Sequence, residues 1–267
     1  MLELYFYENS VCSERVLMTL AEKGIDDWIG HHLDLFRGEE ANHEYLKLNP
    51  KGQVPTLVHH GQVIRESSII CDYLDDLHPN NPLKPDDTID RAHMREWVKE
   101  ADEAGFQGVA SLSFAAVFRE KLSKKTEEER NKLWAGQTDL LRTYRQKTCF
   151  NDGLESPYAI IALAAWEGIF VALEKALCDQ RNWIIGDQFT LADLNFAPLI
   201  ARLEAIGFLD IWLDHRPCSA DWWRRLKTRT SFADANVGPG DREEQEDFAR
   251  EGSKYLDQAR RILQEVS

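Results

Sequence analysis

The sequence predicts a small α/β domain at residues 1–78, a linker at 79–87 and an all-α domain at 88–267. Three observations lead there. Short runs rich in β-formers occur only in the first 67 residues, interleaved with amphipathic stretches in the order βαβ, then αββα. The segment 78–87 holds Pro79, Asn80, Asn81, Pro82 and Pro85, which interrupt helices and strands alike. Beyond it strand signals almost vanish, and apolar residues recur at helical spacing.

Taken in order, "LELYFY" (2–7) is short and β-rich and reads as a strand. In 13–24, Val16, Leu17, Leu20 and Ala21 fall on one helical face, and Gly24 is a natural stop. "WIGHHLDL" (28–35) carries a weak strand pattern, and 39–48 reads as a short helix. Residues 53–67 read as two strands joined by a turn at 59–62, which leaves His59 and His60 as turn residues without a chemical role. A helix over 67–79 ends near Pro79. A long helical pattern runs over 88–122, and helices follow at 157–180, 191–205, 219–229 and 241–265. The stretch 123–156 is polar and shows no clear period. The charged runs 127–130 and 241–247 read as solvated helix faces.

Composition narrows the class. With 267 residues, 43% hydrophobic and 29% charged, the chain can bury a sizeable core and stay soluble. A formal charge of −14 disfavours nucleic acid and anionic membranes as partners, while leaving room for a local basic pocket. No secretory leader is expected, and the longest apolar stretch, 159–173, is broken by Glu167 and too short to span a bilayer. Cys12, Cys71, Cys149, Cys178 and Cys218 are scattered without a CxxC pair. That predicts no disulfide scaffold, no zinc site and no dithiol redox centre, in a reducing cytoplasm.

Three stretches carry chemistry. In "NPKGQVPTL" (49–57), Pro55 cannot donate to a ladder, so its strand should be an edge or be interrupted there. A cis Val54–Pro55 bond would free the Val54 backbone to pair with an extended peptide; an ordinary Pro at a strand start is the plainer reading. In "RESSIICDYL" (65–74), Glu66 and Ser67 stand where a strand gives way to a helix. A helix N-terminus can hold a carboxylate and Glu66 an ammonium, which suits an amino-acid head group; Ser67 as cap and Glu66 as first-turn acid is the plainer reading. In "ENSVCSERV" (8–16), Ser10, Cys12 and Ser13 crowd a strand-to-helix turn, as caps, as core or as thiol-activating groups.

Together these stretches resemble the glutathione transferases, and the resemblance covers essentially the whole chain. "NPKGQVPTL" followed by "ESSIICDYL" is similar to that family's glutathione site, and the pair is far more specific than either part. "WIIGDQFTLADLNFAPLI" (183–200) is similar to its helical-domain signature, in which Thr190 and Asp193 form a capping box. The resemblance implies a thioredoxin-like glutathione-binding domain, then an all-helical electrophile-binding domain, acting as a homodimer with glutathione as cosubstrate and no metal. It implies that Val54, ahead of a cis Pro55, pairs its backbone with the cysteinyl part of glutathione. Glu66 and Ser67 would hold the γ-glutamyl end, and Lys51 and Gln53 the glycyl end. Ser10 falls at the serine of the tau- and zeta-like classes, and Ser13 at that of the bacterial β-etherase type, which the chain resembles most; Ser13 is therefore the first-ranked thiolate donor. An omega-like class would place its cysteine at Ser10, not Cys12, so Cys12 reads as a small core residue.

The same resemblance places an aromatic electrophile against "FQGVASLSFAAVF" (106–118). There Phe106, Phe114 and Phe118 supply rings, and Gly108, Ala110 and Ser111 leave room; an aromatic stripe packed into the core is the plainer reading. The implied activity is glutathione transfer, with β-aryl ether cleavage as the favoured subtype. Two rivals stand beside it. One is a glutathione-binding or interaction protein with little catalysis, like the ganglioside-induced differentiation-associated branch. The other is a zeta-like isomerase, whose usual "SSCS" turn is "SVCS" here.

Overall fold

The computed structural model describes residues 1–238 and 242–266. It opens with β1 (Leu2–Phe6), α1 (Val11–Lys23), β2 (Trp28–His32), α2 (His43–Leu48), β3 (Thr56–His59), β4 (Gln62–Arg65) and α3 (Ser67–Leu77). The four strands form one sheet in the order β2-β1-β3-β4. β1 and β2 are parallel, as a helical crossover through α1 requires, and the β1–β3 and β3–β4 pairs are antiparallel. Leu4 pairs with Leu57 in the centre of the sheet, and both are fully buried with Met18, Ile70 and Leu74 from the helices behind it.

Two local readings change. α1 begins at Val11, ahead of the expected 13, because Ser10 has extended backbone and its hydroxyl accepts the Ser13 N–H at 3.4 Å. Gly24, at φ 61°, ends the helix as expected. β3 is an internal strand; Pro55 is tolerated because the strand starts only at Thr56. The Val54–Pro55 peptide is cis.

The rest is helical. α4 (Thr88–Glu100), α5 (Phe106–Ser113) and α6 (Arg119–Ser123) form one rod, joined by π-helical turns at Ala101–Gly105 and Phe114–Phe118. The polar stretch without a period contains α7 (Glu127–Ala135) and α8 (Leu140–Asp152). α7 buries no residue, so it has no apolar stripe to read; its capping box, Thr126 with Glu129, was nonetheless written in "TEEE". Then come α9 (Pro157–Leu177), α10 (Leu191–Ala205), α11 (Asp210–Leu213), α12 (Pro217–Lys227) and α13 (Thr230–Asp234). The chain closes with α14 (Arg242–Ser253) and α15 (Leu256–Val266), so the single helix expected at 241–265 is two. Residue 241, its expected start, and Ser267, the expected end of the helical domain, lie outside the described residues.

Trp166, Phe170, Phe196, Phe208, Trp212 and Trp222 fill the helical core, each fully buried. Gly108 packs there and does not open the electrophile site: a Cβ on it would meet Trp166 Nε1 at 2.8 Å. No helix among the described residues is long and apolar enough to cross a membrane. The cysteine expectation is corrected in one respect. Cys178, at the end of α9, and Cys218, in the first turn of α12, form a disulfide with Cα atoms 5.5 Å apart. The packing of two helix ends brings them together, which a separation of 40 residues does not reveal.

Arg15 joins the sheet half to the helices. Almost wholly buried, it pairs with Asp102 at 2.5 Å and donates to the carbonyls of Asn195 (3.0 Å) and Ala101 (3.1 Å) and to Ser67 Oγ (3.3 Å). Breaking a buried pair of this kind by removing one partner costs about 3–5 kcal/mol.

Candidate active site

A cavity of about 760 Å³ opens between the sheet half and the helical half. One wall comes from the N-termini of α1 and α3 and the segment before β3. Ser10, Cys12, Lys51, Gln53, Val54, Pro55, Glu66 and Ser67 all line it, so the structure gathers every expected site residue but Ser13.

Ser13 is displaced from its expected role. It lies inside the first turn of α1, fully buried, and its hydroxyl accepts the Tyr7 N–H at 3.3 Å. It therefore faces the strand end and not the cavity. Ser10 stands one residue ahead of the helix, half-exposed on the cavity wall. Its oxygen accepts the Ser13 N–H and its own proton remains available to a ligand. The N–H groups of Val11 and Cys12 have no intrahelical acceptor and add the partial positive charge of the helix start.

At α3 the cap is Glu66, at φ 68°, a left-handed conformation that costs a residue with a Cβ. That backbone presents the first turn of α3 to the cavity. The Glu66 carboxylate, exposed, meets Lys51 Nζ at 2.6 Å. Ser67 is held by Arg15, and Ser68 donates to Asp102 at 2.5 Å, so the buried Arg15–Asp102 pair braces the floor of this wall. Cys12 lies beside it and also packs on the core; burial pushes its thiol up, against the pull of the Arg15 charge, and keeps it protonated.

The opposite wall is aromatic. Phe106, Phe114 and Phe118 line it, with Ala110 and Ser111 between them. Phe118 meets Phe114 at 5.2 Å and Phe36 at 5.5 Å, both edge-to-face. The two π-helical turns bracket this wall: Asp102 lies in the first, and Phe114 and Phe118 in the second. A π turn inserts one residue and shifts the face that follows, which a search for a 3.6 period does not anticipate.

The sequence reading missed several lining residues. Tyr7 ends the apolar run after β1; burial raises its phenol and keeps it neutral. Glu40, Trp134, Arg142 and Arg145 come from segments with no apolar pattern, and Arg202 from α10. The short helix expected at 39–48 and the charged helix face at 127–130 cover only the edges of these segments, and the caps at Thr126 and Asp139 mark where α7 and α8 begin.

Known proteins share this arrangement. Residues 9–77 match the model of the glutathione S-transferase N-terminal domain, and residues 114–225 that of its C-terminal domain. The chain is 29% identical over 241 residues to Protein LigF of Sphingobium sp. (strain NBRC 103272 / SYK-6), covering 86% of this chain and 91% of that protein. It is 33% identical over 197 residues to a probable maleylacetoacetate isomerase of Caenorhabditis elegans, covering 74% and 76%. The crystal structure titled as the β-etherase LigF superposes with a TM-score of 0.77 at 26% identity, over 88% of this chain and 98% of that one. With both family domains in order along the chain, this protein belongs to the glutathione S-transferase family.

Proposed function

We propose that this glutathione transferase cleaves β-aryl ethers, with Ser10 as the group that stabilises the glutathione thiolate. The observation that carries the reading is the continuity of the cavity. A polar wall suited to an acidic tripeptide and a wall of aromatic rings line the same cavity, and Ser10 lies on that lining too.

Glutathione lies extended along the polar wall. The Val54 backbone pairs with its cysteinyl residue, Glu66 and Ser67 take the γ-glutamyl end, and Lys51 and Gln53 take the glycyl end. Its sulfur then reaches the start of α1. A free cysteine thiol titrates near 8.5, so a hydroxyl donor plus the helix field raises the thiolate fraction at neutral pH. The thiolate attacks the carbon beside the ketone of the ether. A C–S bond forms as the C–O bond breaks, and the electron pair leaves as phenoxide, which takes a proton from solvent. Phenoxide is a fair leaving group, so holding and activating the thiol supplies most of what the step needs.

The likeness to LigF supports the ether substrate. The test is turnover with glutathione on three substrates: a nitroaryl halide, a β-aryl ether ketone and a maleyl isomer. Release of the phenol with the ether as best substrate supports the reading. Turnover of the maleyl isomer alone would replace it with the isomerase reading, which the likeness to the nematode protein favours.

The working form is a homodimer in the cytoplasm, where the glutathione pool is held reduced. Ile69 on α3 and Ile89 on α4 are more than half exposed, and β4 is an edge strand, so apolar and strand-edge surface is available to a second copy. Light scattering at micromolar concentration tests this; a monomer mass would remove the dimer.

A further inference from the structure

Five cationic side chains line the cavity among the described residues: Arg15, Lys51, Arg142, Arg145 and Arg202. Three are engaged. Arg15 pairs with Asp102, Lys51 with Glu66, and Arg202 binds the Asn9 carbonyl at 3.1 Å and its side-chain oxygen, with Glu14 at 4.0 Å. The other two stand one helical turn apart on α8 and are not. Neither guanidinium makes a hydrogen bond, an ion pair within 4.0 Å or a cation–π contact with another described residue.

Arg145 is only 9% exposed, and its unpartnered guanidinium is not among the fully buried polar groups, so the little of it that is exposed is its charged end, on the cavity lining. Such a group is costly unless something neutralises it. The acids nearest Arg142 are Glu40 and Asp139. Asp139 is committed to capping α8, where it accepts the Arg142 N–H at 3.0 Å. Burial raises the Glu40 pKa above its ordinary value while the Arg142 charge lowers it, so the two groups act on each other without forming an ion pair within 4.0 Å. The helix that carries both arginines is anchored to the polar wall. Thr138, just before α8, donates to the Lys51 carbonyl at 2.9 Å, and Gln146 accepts from Gln137 at 2.7 Å.

We propose that Arg142 and Arg145 form a carboxylate clamp for the electrophile, so that the preferred second substrate is an aromatic compound bearing a carboxylate. The aromatic wall takes its ring and the two guanidiniums take its acidic end. Side chains at i and i+3 share one helix face, and guanidinium geometry matches a carboxylate in two-pronged fashion. This rests on the glutathione transferase reading and not on the ether subtype. The other source of a carboxylate is the glycyl end of glutathione, which the proposed site assigns to Lys51 and Gln53, and the affinity for glutathione in the variants separates the two sources.

The test uses the full chain with saturating glutathione and two activated aryl halides, 4-chloro-3-nitrobenzoate and its methyl ester. The wild type is expected to raise the acid-to-ester ratio in kcat/KM above that of the uncatalysed reaction with glutathione, in which the ester is the more activated halide. Arg142→Met and Arg145→Met are each expected to lower the acid-to-ester ratio roughly ten- to hundredfold, the scale of one charged hydrogen bond. Arg145→Lys, which keeps the charge, should restore part of it. Because the readout is a ratio within one variant, partial misfolding cancels. If a variant loses all turnover, affinity for the two glutathione conjugates, measured by calorimetry, gives the same ratio. A wild-type acid-to-ester ratio no higher than that of the uncatalysed reaction with glutathione, or an unchanged ratio in both Met variants, overturns the clamp. A fall in glutathione affinity with the ratio unchanged also overturns it and assigns the arginines to glutathione. Failure of the transferase reading would show separately, as no conjugate from either halide.

Discussion

Ser10 occupies the position where a hydroxyl can cap a helix and still face a ligand, because the cap uses its lone pair and leaves its proton. Three residues on, Ser13 has the same chemistry but points into the protein, where it satisfies the Tyr7 N–H. The sequence showed both serines and could not separate them. What separates them is where α1 starts, and that is set by the extended backbone of Ser10, which residue type alone does not encode. Glu66 was legible because its motif is specific, and its left-handed backbone shows how strongly the surrounding structure fixes it. Glu66→Ala should weaken glutathione binding by about 1.5–3 kcal/mol in a calorimetric titration. Glu14 was not legible at all: it falls in an ordinary first turn, yet it is fully buried, and burial raises its pKa to about 8 against the nearby Arg202 charge. In the unfolded chain it titrates near 4.5. Between those values the folded state holds a proton that the unfolded state has released. Stability should therefore fall as pH rises from 4.5 to about 8, by up to about 1.4 kcal/mol per pH unit. Denaturant melts of Glu14→Gln across pH 5–8 should show that slope flattened.

At the scale of elements, legibility followed burial pattern. The strands, α1, α3 and the buried helices α9 and α10 each carry an apolar repeat or a capping signal, and each lies near where it was expected. α7 and α8 carry caps but no clear apolar repeat, and only the charged run 127–130 reads as helix there, although the two helices supply Trp134, Arg142 and Arg145 to the cavity. The Cys178–Cys218 bond was missed because helix ends distant in sequence meet only in the fold. Asp193 shows the opposite case, a residue whose expected role understates it. As expected, it closes the capping box with Thr190; Oδ1 also accepts the Ile184 N–H and the Trp222 indole N–H, both at 2.9 Å. Replacing it strands several buried donors at once. Asp193→Ala should cost more than 3 kcal/mol in chemical denaturation, while Thr190→Ala costs about 1 kcal/mol as a lost cap.

The whole molecule brings together two halves that do different work. The sheet half provides the polar wall and the helical half the aromatic wall, and Arg15 fastens α1 to both Asp102 and Asn195 between them. In the proposed reaction the sulfur is held at the Ser10 turn, on the lining that the two walls share. The thiolate of bound glutathione absorbs in the ultraviolet, so a pH titration of the complex reads its pKa directly. In the wild type that pKa should lie well below 8.5. Ser10→Ala should raise it by about one unit, or 1.4 kcal/mol, and Ser13→Ala should leave it in place. A shift in Ser13→Ala with none in Ser10→Ala would contradict the account.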